Sequence, residues 1–113
     1  MLLLALIAGP AFADPATIVD AQARPGPSGW TFSVTIAHGD TGWDDYADGW
    51  RVLAPDGTVL GTRVLHHPHV EEQPFTRSLS GLAIPDSLDH VEIEASESLG
   101  GWGGERLRLA LPR

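Results

Sequence analysis

The chain has 113 residues, no cysteine, one methionine and a formal net charge of −8. This length allows a single domain, and the excess of acidic residues argues against nucleic acid or an anionic membrane surface as a partner. Because the methionine is the initiator, the mature chain offers neither a cysteine nucleophile nor a soft sulfur site for Cu(I).

The first thirteen residues, MLLLALIAGPAFA, carry no charge. A short apolar run is broken by a Gly-Pro pair and followed by the A-x-A sequence at residues 11–13. These features are typical of a secretory signal peptide that is cleaved before Asp14, and the apolar run is too short to cross a bilayer. We therefore predict a signal peptide at residues 1–13 and one mature domain at residues 14–113, without a membrane span, in a periplasmic or secreted location.

Short runs of alternating apolar and polar residues follow, separated by Gly, Pro and Asp about every ten residues. In the clearest run, Trp30, Phe32, Val34, Ile36 and His38 share one face. Strands are predicted at residues 17–23, 30–38, 50–54, 58–67, 75–82, 90–96 and 106–111. The predicted fold is all-β, an immunoglobulin- or fibronectin III-like antiparallel β-sandwich of about seven strands.

Two resemblances to known families support this fold. The stretch LSGLAIPDSLDHVEIEASESLGGWG resembles the end of a fibronectin type III-like domain, although His90 stands where such domains usually have a tyrosine. The segments DTGWDDYADGW and HPHVEEQPFTRSL resemble an uncharacterised family of small secreted bacterial proteins. The second resemblance implies export and a β fold, and it implies no activity.

The segment LHHPHVEEQPF concentrates three histidines and two glutamates. His67 and His69 are two residues apart, a spacing that places both side chains on one side of an extended strand. Two such imidazoles bind Cu²⁺ or Zn²⁺ when a third ligand lies nearby. The predicted ligands are His67, His69, His38, Glu71 and Glu72. The alternative is a polar turn whose imidazoles bond to backbone carbonyls or to the neighbouring glutamates.

A second polar segment, HGDTGWDDYADG, holds four aspartates that are hard oxygen donors of the kind Ca²⁺ prefers. Their spacing does not match an EF-hand loop, because no glycine at the sharp turn is followed by a closing glutamate. Aspartate and glycine also build and cap ordinary turns. The turn interpretation is the one we favour for this aspartate loop.

Aromatic residues suggest a further contact surface. Trp30 and Trp50 begin alternating runs and are predicted to lie in the core, whereas Trp43 and Trp102 lie in glycine-rich segments. The predicted ligand or partner contacts are Trp43, Trp102, Tyr46 and Arg77. For Arg77 a salt bridge to the aspartate loop is the expected structural role.

No catalytic signature is present: the sequence has no G-x-S-x-G elbow, H-E-x-x-H pair or P-loop. We therefore predict a secreted or periplasmic binding module without enzymatic activity, whose cofactor is Cu²⁺ or Zn²⁺ and whose partner is an unknown protein or small ligand. Two alternatives remain open. One is a structural or protein-interaction domain of the cell envelope without metal, and the other is a carbohydrate-binding module that uses the loop tryptophans.

Overall fold

The structure is a computed structural model that describes residues 14–113. The predicted signal peptide lies outside the described residues and stays a prediction. The strands are β1 (Thr17–Arg24), β2 (Trp30–Ala37), β3 (Ala47–Leu53), β4 (Val59–Val64), β5 (Phe75–Leu82), β6 (His90–Glu97) and β7 (Gly101–Ala110). Among residues 14–113, no helix is long and apolar enough to cross a membrane.

The strands form two sheets that pack face to face. One sheet has three strands in the order β1-β2-β5, and the other has four in the order β4-β3-β6-β7. All of these neighbours pair antiparallel. The prediction of an antiparallel β-sandwich with about seven strands is therefore confirmed.

The core follows from the alternating pattern of the strands. On β2, every second side chain from Trp30 onward is buried and the intervening ones are partly exposed, as expected for a strand with one face on a second sheet. Trp30 and Trp50 are 7% and 0% exposed, which confirms their predicted place in the core. The largest fully buried side chains are Trp50, Phe32, Phe75, Ile36, Leu53, Ile93, Val34, Val52 and Val91.

No strand was predicted for the glycine-rich segment GGWGGE, which lies between the predicted strands at residues 90–96 and 106–111, and this prediction is wrong. The segment forms the first half of β7, where Gly101 pairs with Glu97 and Trp102 pairs with Ser96. The ladder shifts register opposite this segment, and Gly101 and Gly104 have φ angles of 79° and 78°. A bulge with left-handed glycines lets a strand run through such a sequence. The actual turn is shortened to residues 98–100.

The start of β3 and the end of β4 also differ from the predictions, and the second difference places His67 and His69 outside a strand. β3 begins at Ala47 rather than at residue 50, because Ala47 pairs with Glu97. β4 ends at Val64 rather than at residue 67, since the chain leaves the ladder before Pro68, which has no N–H to donate. His67 and His69 therefore lie in a loop, and strand geometry does not set their spacing.

The two long loops that carry histidines lie at one end of the sandwich. Within each sheet the neighbours are antiparallel, and the β2–β3 loop joins the two sheets at this end. β2, β4 and β6 therefore end there, and β1, β3, β5 and β7 begin there. We call this the loop end. It collects residues 14–16 and the loops at residues 38–46, 65–74 and 98–100. Trp102 and Arg77 lie within the first three residues of their strands, at the same end.

Candidate metal centre at the loop end

His38 extends the inward row of β2 by one step and is buried, with its side chain 1% exposed. Its Nδ1 lies 2.7 Å from Oδ1 of Asp40. A carboxylate only accepts hydrogen bonds, so Nδ1 carries the hydrogen and donates it. This contact fixes the orientation of the imidazole and determines which atoms the other ring nitrogen, Nε2, must face.

Asp40 connects two loops through its carboxylate, which is 0% exposed. Besides the His38 contact, Oδ1 accepts a hydrogen bond from the backbone N–H of Ala47 at 3.0 Å, and Oδ2 accepts one from the backbone N–H of His69 at 2.8 Å. A buried carboxylate needs several donors to offset the loss of water. Asp40 thus holds His38 in place and fixes the β4–β5 loop against the β2–β3 loop.

The Nε2 atom of His38 faces oxygen atoms. The backbone carbonyl oxygen of Asp14 lies 3.0 Å away and Oδ1 of Asp45 lies 3.7 Å away. Both oxygens are acceptors, and Asp45 Oδ1 is buried without a hydrogen-bond partner in the described part of the chain. A neutral ring that donates through Nδ1 has a lone pair on Nε2. A metal ion among these atoms would bind this lone pair and both oxygens.

Glu97 completes the group from the end of β6. The residue is 4% exposed, and its Oε1 accepts hydrogen bonds from the backbone N–H groups of Leu99 and Gly100 at 2.8 and 2.9 Å. One ligand atom from each of His38, Asp45 and Glu97 lies within 4.8 Å of the others. We call these three residues the cluster.

The donor set of the cluster suits a divalent metal ion. Imidazole nitrogen and carboxylate oxygen bind Zn²⁺ at about 2.0–2.2 Å, so ligand atoms around a tetrahedral ion lie about 3.3 Å apart. The distances of 3.0 and 3.7 Å from His38 Nε2 to its oxygen neighbours are close to that spacing. Metal-binding histidines almost always donate their second N–H to a carboxylate, a backbone carbonyl or water, and the carboxylate of Asp40 is in this position.

His67 and His69 occupy a different place at the loop end. Their ring centroids are 4.7 Å apart, and the buried ring of His69 stacks on Phe75 at 3.9 Å. Nε2 of His69 accepts a hydrogen bond from Arg77 at 2.8 Å. Burial lowers the pKa of His69, and the charge of Arg77 and the neighbouring His67 lower it further. Within residues 14–113, the only group of three or more candidate ligands is the cluster, so the structure does not bring His67 and His69 together with His38 as ligands.

The two predicted glutamate ligands are exposed on the β4–β5 loop. Glu72 lies 3.4 Å from Arg77, and Glu71 makes no ion pair among the described residues. The predicted salt bridge between Arg77 and the aspartate loop is wrong. Arg77 follows Phe75 by two residues on the same face of β5, and its guanidinium lies 5.5 Å from the Phe75 ring. From there it donates a hydrogen bond to His69, whose ring stacks on Phe75.

The aspartate loop is divided among several roles. Asp45 belongs to the cluster, and Asp40 orients His38. Asp48 accepts a hydrogen bond from Ser96, and Asp44 is exposed. The four side chains are therefore not gathered around one ion, in agreement with the interpretation as a turn.

The tryptophans of the predicted contact surface are exposed. Trp43 is 67% exposed and meets Tyr46 edge-on at 5.6 Å. Trp102 is 39% exposed, and the Arg51 guanidinium lies 4.1 Å from its ring. Both rings are accessible to a ligand at or near the loop end.

Asp45, Glu97 and the carbonyl of Asp14 were not selected as metal ligands from the sequence. A signal for Glu97 was present, because it continues the inward row of Val91, Ile93 and Ala95 by one step, as His38 continues the row of β2. A charged residue at the end of an inward row, where the strand reaches the rim, is expected to have a partner there. The Asp14 carbonyl has no signal in the side-chain pattern.

Comparison with known proteins identifies one similar protein, from the archaeon Halomicrobium mukohataei, with the description "Putative lipoprotein". It is 40% identical to the chain over 76 residues, which are 67% of this chain and 37% of that protein. The chain therefore spans little more than a third of the relative's length. No family model matches the chain, and no solved structure matches it significantly. The relative is archaeal, and the resemblance to a bacterial family stays a prediction.

Proposed function

We propose that the chain is an extracytoplasmic β-sandwich module that binds one divalent metal ion through His38, Asp45 and Glu97. The observation that carries this proposal is the buried Nε2 of His38, which faces oxygen acceptors while Asp40 holds Nδ1. The unpartnered Oδ1 of Asp45 supports it, because a buried carboxylate oxygen without a donor is costly unless a cation is bound.

An extracytoplasmic location is supported by two independent observations. The first thirteen residues have the pattern of a secretory signal peptide. The similar archaeal protein carries the description "Putative lipoprotein". We propose a periplasmic, secreted or cell-surface location on these grounds.

Zn²⁺ fits the cluster best among the common divalent ions. The cluster supplies one imidazole and two carboxylates, and a backbone carbonyl lies beside them. Such mixed nitrogen and oxygen sets are typical of Zn²⁺. Ca²⁺ takes six to eight oxygen ligands, which is more than these side chains offer. Cu²⁺, the other ion predicted from the sequence, is the natural competitor.

We also propose that the module binds the ion without catalysing a reaction. The side chain of His38 is 1% exposed and that of Asp45 is 27% exposed, so the ion would be covered by protein on most sides. With the Asp14 carbonyl as a fourth ligand the set would be closed, and a closed set supports a structural or storage role, since a catalytic site keeps an open position for substrate.

The test compares two neighbouring aspartates. Asp45→Asn removes a ligand charge from the cluster, and Asp44→Asn makes the same change at an exposed neighbour. Titration calorimetry of the wild-type protein with Zn²⁺ should give one binding site. In thermal unfolding, Zn²⁺ at a hundred times its Kd should raise the free energy of unfolding by about 2.7 kcal/mol. Asp45→Asn should lose at least about tenfold in affinity, whereas Asp44→Asn should match wild type.

The histidine variants separate this site from the one predicted from the sequence. His67→Gln changes an exposed residue and should leave Zn²⁺ binding unchanged, whereas His38→Gln should abolish it. Calorimetry in which wild type gives no heat with Zn²⁺, Cu²⁺ or Mn²⁺ would overturn the proposal. Loss of binding in His67→Gln with full binding in Asp45→Asn would assign the ion to the β4–β5 loop instead.

A second candidate function is carbohydrate binding, which the exposure of Trp43 and Trp102 favours. Aromatic rings on sheet surfaces present flat apolar faces with which sugar rings can stack. Trp43→Ala and Trp102→Ala should then remove any fluorescence change produced by a soluble glycan panel. If no glycan changes the fluorescence of wild type, an interaction domain of the cell envelope is the remaining alternative for these residues.

A further inference from the structure

The carbonyl oxygen of Asp14 lies beside the cluster, next to Nε2 of His38. Its oxygen lies 3.0 Å from Nε2, which is closer than Oδ1 of Asp45 at 3.7 Å. A groove of about 400 Å³ opens beside this contact and is lined by Asp14, Pro15, Thr17 and Ala37, among others. The backbone at the start of the described chain thus lies directly beside the candidate ion position.

We propose that cleavage before Asp14 completes the metal site, because the new terminal amine of Asp14 and its carbonyl oxygen together chelate the ion. This inference rests on the proposed function. In the cleavage step, a signal peptidase adds water across the Ala13–Asp14 peptide bond, so that Ala13 leaves with a carboxylate and Asp14 keeps an amine. Before cleavage the same nitrogen is an amide, whose lone pair is delocalised into the carbonyl and does not bind metal.

Pro15 prepares Asp14 for chelation. A residue before proline is restricted to ψ of about +120° to +160°. At these angles the nitrogen and the carbonyl oxygen of that residue lie on the same side of the Cα–C bond, about 2.7–2.9 Å apart. An ion that binds both atoms closes a five-membered ring with no further rotation of the backbone, so little conformational entropy is lost.

The resulting ligand set joins four separate parts of the fold. The start of the chain, the end of β2, the β2–β3 loop and the end of β6 would each supply ligands. The ligand atoms are the nitrogen and oxygen of Asp14, Nε2 of His38, and one carboxylate oxygen each of Asp45 and Glu97. Zn²⁺ accepts four ligands and expands to five. The precursor lacks one of these ligands, so it would bind the ion more weakly than the processed chain does.

The absence of lysine makes the test clean. All seven basic residues are arginine, so the terminal amine is the only primary amine of the mature chain. The full chain is expressed in an exporting bacterium, and the mass of the purified protein checks that it begins at Asp14. An N-hydroxysuccinimide ester of acetate then blocks that amine with one acetyl group. We expect the affinity for Zn²⁺ to fall by at least about tenfold, since even outer partners of a metal site contribute that much.

A second variant keeps the amine and its charge but moves it. One extra glycine between Ala13 and Asp14 leaves a mature chain whose amine is one residue away from the chelating position. Its Zn²⁺ affinity should fall as far as that of the acetylated protein. Without metal, the native, acetylated and glycine-extended proteins should all unfold at the same temperature. Bound Zn²⁺ should also slow acetylation of the unmodified protein, as followed by mass spectrometry.

Three outcomes would overturn the proposal. One is a purified chain that does not begin at Asp14, and another is a rate of acetylation that Zn²⁺ does not change. The third is equal Zn²⁺ affinity of the native, acetylated and glycine-extended proteins, which would leave the cluster as a metal site without the amine. If the native protein binds no Zn²⁺ at all, the proposed function fails together with this inference.

Discussion

Nδ1 of His38 lies 2.7 Å from Oδ1 of Asp40, and the two side chains are 1% and 0% exposed. Because Asp40 also accepts hydrogen bonds from two backbone N–H groups of different loops, its carboxylate stabilises the loop end and orients the imidazole at the same time. Stability and metal affinity should therefore depend on this one side chain, although it does not belong to the cluster.

The first prediction concerns Asp40→Asn. An asparagine offers one acceptor oxygen in place of two and adds an N–H₂ group, so at least one buried donor loses its partner. We expect a loss of about 1–3 kcal/mol in the free energy of unfolding and a fall of about 10–100-fold in Zn²⁺ affinity. Urea denaturation and calorimetry measure the two effects. Asp44→Asn is the matched control, and equal behaviour of the two variants would contradict the role of Asp40.

The second prediction is a dependence of stability on pH that comes from His69. Burial and the nearby Arg77 lower its pKa in the folded protein, whereas its pKa in the unfolded chain is about 6.5. Above pH 6.5 the ring is neutral in both states. As the pH falls from about 6.5 to the lowered pKa, only the unfolded state binds the proton, so stability decreases, at most by about 1.4 kcal/mol per pH unit.

Two variants assign this pH dependence to His69. His69→Phe keeps an aromatic ring on Phe75 and should flatten the decrease in stability between pH 7 and pH 5, as measured by urea denaturation. Arg77→Gln removes one cause of the lowered pKa, so the ring should titrate closer to its normal range and the decrease should again be smaller. The same slope in wild type and both variants would exclude His69 as the source.

The third prediction uses two strand glycines that have different surroundings. A Cβ atom on Gly61 would lie 2.7 Å from Cδ2 of Leu82 and 3.2 Å from Cδ2 of Leu79, whereas a Cβ on Gly103 would meet nothing within 4 Å. Gly61→Ala should therefore destabilise the fold by about 1–3 kcal/mol through overpacking. Gly103→Ala should be neutral or stabilising by up to about 1 kcal/mol. The reverse order in thermal unfolding would show that β4 packs differently against β5.

The fourth prediction tests the core. Ile93 is 0% exposed in the middle of β6, whereas Leu99 is 60% exposed in the turn that follows it. Ile93→Ala should cost about 2–5 kcal/mol in the free energy of unfolding, and Leu99→Ala should change it by less than about 0.5 kcal/mol. A large effect of Leu99→Ala would reveal a packing partner for this turn.

The fold could be predicted because its information is local. Alternation of apolar and polar residues reports one buried face on each strand, and Gly, Pro and Asp mark the turns. The limits of β3 and β7 could not be predicted in this way. Ala47 pairs with Glu97 far along the chain, and Gly101 pairs with the same residue across the turn at residues 98–100. This pairing overrides the preference of glycine-rich segments for turns, and it is not visible in the local pattern.

The candidate site was predicted only in part. His38 was selected because it ends the inward row of β2, and its burial and its place in the cluster agree with that reasoning. His67 and His69 were selected for their spacing along a strand, but they lie in a loop, where Arg77 and Phe75 contact His69. Short-range spacing thus identified a polar segment without identifying the partners of its side chains.

The amino-acid sequence by itself determined the β-sandwich, the residues of its core and the acidic, lysine-free character of the chain, because composition and period-two alternation depend on neighbouring residues alone. Only the tertiary structure decided which polar residues meet. His38, Asp45 and Glu97 come from three places in the chain, and they approach one another because the two sheets pack with the ends of β2 and β6 at the same rim as the β2–β3 loop. The burial of His38 and Glu97 at that rim is a property of the two packed sheets together, which no short stretch of sequence contains.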